Sequence, residues 1–568
     1  MEKANLKKHT LKISLIFILL ISAFLCIYTV WNYNGNNDMI KNNQFMAEGA
    51  QSNNGQNTSP SNKAQTSSSE DSRASSGNDQ SNQNMKPDKN GGMALQNGDT
   101  KPNQNEGIAP PSGGKQSYSN KNRLPGQNGN MQRGNTNTKY VPALTIYSGI
   151  FLILCMGTYY LFRRKNIKIN FADEKTIMFA LLAAGLLLRI AGSTLMDGHN
   201  DINLFKNWAS TAANGLSQFY SNARSADYPP LYIYILALIG KIASVPDFSA
   251  YFILMLKIPS IIADIITSYF IYKLGKKHFS SVISILIATS YIFNPAIFID
   301  SVFWGQVDSF FTLFIVIALF LLAEKKIAVS SAMFAIAVLM KPQGIIFLPI
   351  LFFELVRERK VKKIICAALS AIVTAFIIIL PFSLNQQSPL WIFKLYSNTI
   401  SEYPYASVNA FNFFSLIGAN YKNNTDTLLL FNYHTWGMIF IVLTTLFSWL
   451  IYIKNNNRAF VPAIALLQIA GVFTFSAGMH ERYLFPAVAL AILAFIYLKD
   501  RRFILLAIGF SLTSYINIST VLFNLNFNIL LMMTSALNVL LVGYLVKVLF
   551  DITVKCDKSQ GQSEIKEF

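Results

Sequence analysis

Asp197 and Asp201 stand in the segment MDGHNDINLFKNWA, which begins at Met196 directly after a long apolar run. A carboxylate where a chain leaves an apolar environment is costly to hold, and is a functional candidate by default. Asp201 precedes Phe205 and Trp208 at i+4 and i+7, the spacing of one helix face. Such a helix can rest its aromatics in a membrane interface and keep the carboxylate at its positive N-terminal end. There Asp201 can serve as a general base toward an acceptor hydroxyl, or simply as a helix cap. Asp197 competes for either role.

A second constellation is GMHERYLFP, from Gly478. Arg482 has the planar fork that binds phosphate bidentately, His480 can add a donor, and Glu481 can pair with either. The alternative is an arginine that snorkels beside a surface salt bridge. Lys341 interrupts an apolar run just before Gln343 in KPQG, either as a phosphate ligand or as a snorkelling lysine. In FWGQVDS, from Phe303, the trio Trp304, Gln306 and Asp308 combines an aromatic face with amide and carboxylate groups, a set suited to sugar hydroxyls; an aromatic-belt Trp and a helix cap are the plainer reading. DYPPLY adds Asp227 and Tyr228, and EYPYASVNAFNFF adds Asn409. Arg189 and Asp264 fall inside apolar runs and are expected to pair with other polar groups. No glycine-rich nucleotide loop, Ser-His-Asp order or metal-spaced histidine cluster is present.

The elements that must position these groups follow from composition. Of 568 residues, 52% are hydrophobic and 13% aromatic, too apolar for an ordinary soluble chain. The apolar residues come in blocks near the length of about 20 residues that a helix needs to cross hydrocarbon. The net charge of +19 does not point to nucleic acid, because the Lys and Arg cluster at the ends of those blocks: RRKNIK, KLGKK, EKK, RERKVKK and KDRR. That is the positive-inside pattern. Cys26, Cys155, Cys366 and Cys556 form neither a disulfide framework nor a zinc motif.

The expected fold is an all-α polytopic membrane protein of about fourteen spans, helical because hydrocarbon leaves no backbone group unpaired. An uncleaved anchor occupies 1–31, and 32–139, rich in Asn, Ser, Gln and Gly, reads as a disordered extracytoplasmic tether. A second span follows at 140–162. The core, 163–549, has spans near 176–195, 252–273, 281–300, 308–323, 327–341, 344–356, 361–382, 434–453, 459–478, 484–498, 503–522 and 527–549, with a tail at 550–568. The apolar stretch from Pro229 is read as a helix lying in the outer interface, since counting it as a span would put three basic clusters outside. Both termini are then cytoplasmic, and all the polar motifs emerge on the extracytoplasmic face.

In this order, HNDINLFKNWA, DYPPLY, NPAIFIDSVFWGQVDS, LMKPQG, YASVNAFNFF and MHERYLFP resemble the GT-C glycosyltransferase superfamily. The resemblance is to bacterial relatives of the mannosyltransferases of GPI-anchor synthesis and to the dolichyl-phosphate-glucose transferases of N-glycan assembly. It covers roughly 177–498, more than half of the chain. It implies transfer of a mannose- or glucose-like hexose from a polyprenyl-phosphate donor to a glycan, glycolipid or protein acceptor, with inversion. It also implies that Asp201 is the base, and that His480, Arg482 and Lys341 hold the donor phosphate. The glucose-transferring branch has Glu-Lys where this chain has Glu481-Arg482. No cofactor beyond the donor is required, and a divalent metal is optional. A transporter of polyprenyl-linked sugars is the alternative, but internal repeats and midplane polar groups, its expected signs, are not evident.

Overall fold

The computed structural model describes residues 2–33, 137–164, 171–223, 225–525 and 528–566. Nearly all of the expected tether lies outside the described residues. The helices used below are α1 (Glu2–Trp31), α2 (Val141–Arg164), α3 (Phe171–Ser193), α4 (Asp201–Ala213), α5 (Pro230–Ala243), α6 (Phe252–His278) and α7 (Ser281–Ile292). They continue with α8 (Pro295–Trp304), α9 (Asp308–Ala323), α10 (Ile327–Met340), α11 (Leu348–Glu358), α12 (Val361–Ser383) and α13 (Trp391–Ser401). The last five are α14 (Tyr433–Asn455), α15 (Val461–Phe475), α16 (Pro486–Leu498), α17 (Arg502–Leu522) and α18 (Asn528–Lys566). Among the described residues, sheet is limited to four two-residue strands: β1 (Ser407–Val408) pairs in parallel with β4 (Met479–His480), and β2 (Thr427–Leu428) antiparallel with β3 (Phe431–Asn432).

The chain is an all-α polytopic membrane protein. Among the described residues nine helices are long and apolar enough to cross a membrane, or ten if α7 and α8, bent by 41°, count as one span. Four apolar helices expected to cross or lie in the membrane, α5, α9, α10 and α16, are shorter than 18 residues. The expected 344–356 span divides at Leu348 into a 3-10 turn and α11, with Pro342 and Pro349 near the starts of its two halves. α18 runs unbroken to Lys566, past the end at 549 expected for the last span.

Burial sorts the helices. α15 and α16 are apolar all round and buried along almost their whole length, as central helices must be. α1, α2 and α12 keep most of their apolar side chains outward, as lipid-facing helices do. Arg189 of α3 does pair with Asp264 of α6, Nε to Oδ2 at 3.1 Å, with both side chains buried. At the far end of α6, Lys276 pairs with Glu174 and Lys277 with Glu324. The basic residues thus lie at the opposite end of α6 from Lys257, separated by most of a helix about 40 Å long at 1.5 Å per residue.

α4 corrects the expectation for its aromatic face. Ile202, Phe205, Trp208, Ala209 and Ala212 are buried against protein, chiefly α5, and not in a lipid interface. Phe205 meets Tyr232 edge-on at 5.5 Å, and Trp208 lies 5.4 Å from Tyr228. The two backbones approach closely because small residues line the seam, Ala209 and Ala213 facing Gly240. A Cβ at Gly240 would sit 2.1 Å from the Ala209 carbonyl oxygen, so Gly240→Val must push α4 off α5 at a cost of about 1–3 kcal/mol. We expect its thermal unfolding midpoint in detergent to fall clearly, while Gly149→Val, where nothing lies within 4 Å, leaves it close to wild type.

Candidate active site

The centre of the site is one carboxylate. Asp201 is the first residue of α4 but does not cap it; Asn200 holds the cap position, without a side-chain bond. The Asp201 side chain turns toward other elements. Its Oδ2 accepts from Trp304 Nε1 at 3.2 Å, from Gln306 Nε2, and from Arg482 Nη1 at 3.3 Å. His199 Nδ1 lies 3.5 Å from Oδ1. The carboxylate remains 31% exposed, so a ligand can still reach it.

Each donor is itself held. Gln306 Oε1 accepts from the Tyr228 hydroxyl and the Val307 amide, both at 3.4 Å, which turns its amide nitrogen toward Asp201. Trp304 stacks on His199 at 4.5 Å between ring centroids and carries the Arg482 guanidinium 4.7 Å from its ring. The two chain segments are joined by the His199 amide, which donates to the Trp304 carbonyl at 3.1 Å. Gly198 permits that approach: its φ is +117°, and a Cβ there would stand 2.8 Å from the same carbonyl. The Asp300 carbonyl accepts from the Gly305 and Gln306 amides and closes the turn after Trp304.

DYPPLY serves two purposes. Pro229 and Pro230 start α5 at its cap and first position. Ahead of them the Asp227 carbonyl accepts from Thr399 on α13 at 3.0 Å, and the Tyr228 carbonyl from Tyr220 at 2.8 Å. Lys341, at the end of α10, does not snorkel. It is buried, ion-paired to Asp308 at 2.5 Å, and lies 5.4 Å from the Tyr483 ring. Gln343 is half-buried, with its Oε1 enclosed and unpartnered.

Arg482 also lies 3.3 Å from Glu481. His480 belongs to β4 and packs edge-on against Tyr403 at 4.6 Å. Asn409 bridges to His480 through the backbone, and its amide nitrogen donates to Tyr421 Oη at 2.9 Å. The loop that holds it is pinned from below: Asn517 of α17 donates to the Asn409 carbonyl at 2.7 Å and Asn538 of α18 to the Phe411 carbonyl at 2.8 Å.

The expected site residues therefore divide. Asp201, Trp304, Gln306, Tyr228, Arg482 and Glu481 form one connected cluster, and Lys341 with Asp308 forms a second pair. Trp304, Gln306 and Asp308, expected to face sugar, are at most 3% exposed; two of them hold Asp201 and the third holds Lys341. Among the described residues, the hydrogen bonds of the cluster do not include Asp197. His199 was legible as part of the quoted segment but was not singled out. Lys257 was hidden inside an apolar run, where a lone lysine was its signal. Among the described residues, no three His, Cys, Asp or Glu side chains converge to hold a metal ion.

The electrostatics of the cluster follow from its neighbours. Burial would raise the Asp201 carboxyl, but His199 and Arg482 outweigh it and hold the group well below the usual carboxylate range. His480 is pushed down to about 3 by burial and by Arg482 and Lys341, so it is neutral at physiological pH. Glu481 is raised by burial.

An apolar cavity of 560 Å³ opens between α11 and α14, lined by Ile345, Leu348, Phe352, Leu446 and Trp449 among others. It contains almost no polar surface and begins just beyond Gln343.

Residues 227–384 match the family of dolichyl-phosphate-mannose-protein mannosyltransferases. That match supports a membrane glycosyltransferase of the GT-C type. The matched segment carries Asp227, Tyr228, Trp304, Gln306, Asp308, Lys341 and Gln343, and lies between Asp201 and Arg482. No curated protein matches the chain.

Asp227 differs from Asp201. Burial and the neighbouring Glu402 push its carboxyl up to about 7. Between roughly pH 4 and 7 an unfolded chain has lost this proton while the folded one keeps it, so stability falls as pH rises through that window. We expect Asp227→Asn to abolish that loss, so that the variant's unfolding midpoint rises relative to wild type from pH 5 to pH 7. A gap independent of pH contradicts the assignment.

Proposed function

We propose that this GT-C type membrane glycosyltransferase moves a mannose- or glucose-like hexose from a polyprenyl-phosphate donor to an acceptor hydroxyl, inverting the anomeric centre. The observation that carries the reading is the Asp201–Arg482 contact, which sets a base and a phosphate-binding cation side by side at an open carboxylate.

In this mechanism the donor phosphate engages Arg482, with neutral His480 as a further donor and Lys341 adding positive potential. The acceptor oxygen attacks the anomeric carbon from the face opposite the phosphate. The bond from that carbon to the phosphate oxygen breaks, polyprenyl phosphate leaves, and the hydroxyl proton passes to Asp201. The leaving group needs charge neutralisation rather than a proton, which fixed cations in a poorly hydrated site supply. No step requires a nucleotide.

Arg482 also tunes the base. While it faces Asp201 the carboxylate is weakly basic; a phosphate that draws the guanidinium away restores basicity as the donor arrives. Trp304 and Gln306 keep Asp201 aimed throughout, and Asp227, Tyr228 and Asn409 border the space for the acceptor. The apolar cavity beyond Gln343 suits the isoprenoid chain, held there by close packing, since a chain arriving from the bilayer is not withdrawn from water. The reaction end faces the extracytoplasmic side, with both termini cytoplasmic, in keeping with the basic clusters at the other helix ends. The acceptor is a glycan, glycolipid or protein.

Asp201→Asn is expected to lower kcat by 10² to 10⁴, the range for loss of a positioned base, with donor KM little changed. Arg482→Gln should chiefly raise donor KM, by about 30-fold, for a lost charge-assisted bond near 2 kcal/mol. Steady-state kinetics with synthetic polyprenyl-phosphate hexoses checks both. An Asp201→Asn variant with wild-type kcat overturns the mechanism.

A further inference from the structure

We infer that Lys257, together with Ser260, is a positioning pair that sets the distance between Asp201 and the Trp304–Gln306 turn; this rests on the transferase reading of the site. Lys257 lies within the apolar length of α6 and is fully buried. Among the described residues its ammonium forms no ion pair within 4 Å, although the charge of Asp197 acts on it. It donates to two main-chain carbonyls, Ser193 at 3.1 Å and Met196 at 2.5 Å. Ser193 ends α3, where carbonyls lack helical partners and the dipole is negative. Met196 begins the segment that runs through Gly198 and His199 into Asp201.

Ser260 stands one turn further along the same face of α6. Its hydroxyl donates to the Gln306 carbonyl at 2.5 Å. One helix therefore grips both sides of the Asp201 cluster by the backbone: the approach to the carboxylate through Lys257, and the turn bearing its donors through Ser260. The stem of Lys257 passes against this turn as well, since a Cβ on Gly305 would lie 3.3 Å from Lys257 Cε. A charged group is expensive in an apolar interior, and a methionine would fill the volume without that cost. What methionine cannot do is hold two carbonyls. Asp201 makes hydrogen bonds with three donors on two other segments, and an error of about 1 Å in such a constellation can cost 10²-fold in rate.

The test is a double-mutant cycle on the full-length protein in lipid, with a synthetic polyprenyl-phosphate hexose as donor. Lys257→Met should lower kcat about 10²-fold and leave donor KM within about threefold. In an Asp201→Asn background the same change should cost less than about twofold, because its effect runs through Asp201. Ser260→Ala should show the same dependence with a smaller loss, and carries the test if Lys257→Met does not fold. Wild-type kcat in the variants, or an equal loss with and without Asp201, overturns the inference. If the wild-type protein transfers no sugar, the transferase reading fails, and the clamp is judged by hydrogen exchange. The His199 amide should then exchange at least tenfold faster in Lys257→Met, and unchanged exchange overturns it.

Discussion

The site depends on one carboxylate shared by donors from separate parts of the chain. Trp304, Gln306 and Arg482 all bond to the same oxygen of Asp201, although the last lies 281 residues away. Such a meeting requires α4, the turn after α8 and the loop before α16 to keep their places together. The surrounding interactions serve that end: Tyr228 on Gln306, the His199 amide on the Trp304 carbonyl, α5 against α4, and asparagines of α17 and α18 under the β1–β4 loop. Because Oδ2 is held by three donors, the carboxylate can remain partly open without losing its aim.

Charge is arranged in two layers. Arg482 faces both Asp201 and Glu481, while Lys341 is matched to Asp308 deeper in the protein. A cation already paired with a carboxylate is stable while the site is empty and is available to a stronger anion. In the proposed mechanism that exchange links donor capture to the basicity of Asp201. His480, kept neutral by burial and by these cations, can donate a hydrogen bond without adding repulsion.

Much of this was legible in the sequence. Apolar blocks bounded by basic clusters gave an all-helical membrane protein, and the polar motifs at the block ends do largely converge. Two kinds of information were not legible. The break inside an apolar run is one: α9, α10 and α16 keep the short lengths expected of them, but the run at 344–356 divides at Leu348 into a 3-10 turn and α11. Side-chain direction is the other. Trp304, Gln306 and Asp308 read equally well as sugar ligands, and only the fold turns them inward onto Asp201 and Lys341. The aromatics of α4 read as interfacial because a 3.6-residue period gives a face but not the partner that covers it. Lys257 was lost for the opposite reason: within a long apolar run a single lysine hardly changes the mean, although its cost of burial marks it out.

The most direct measurement uses purified protein in vesicles with a labelled polyprenyl-phosphate hexose and a panel of hydroxyl acceptors, following free polyprenyl phosphate and trans-bilayer movement of label together. Polyprenyl phosphate should appear in proportion to glycosylated acceptor, with opposite anomeric configuration in the product. Label that crosses the bilayer intact, with no polyprenyl phosphate released for any acceptor, would contradict glycosyl transfer and make the protein a carrier of lipid-linked sugar.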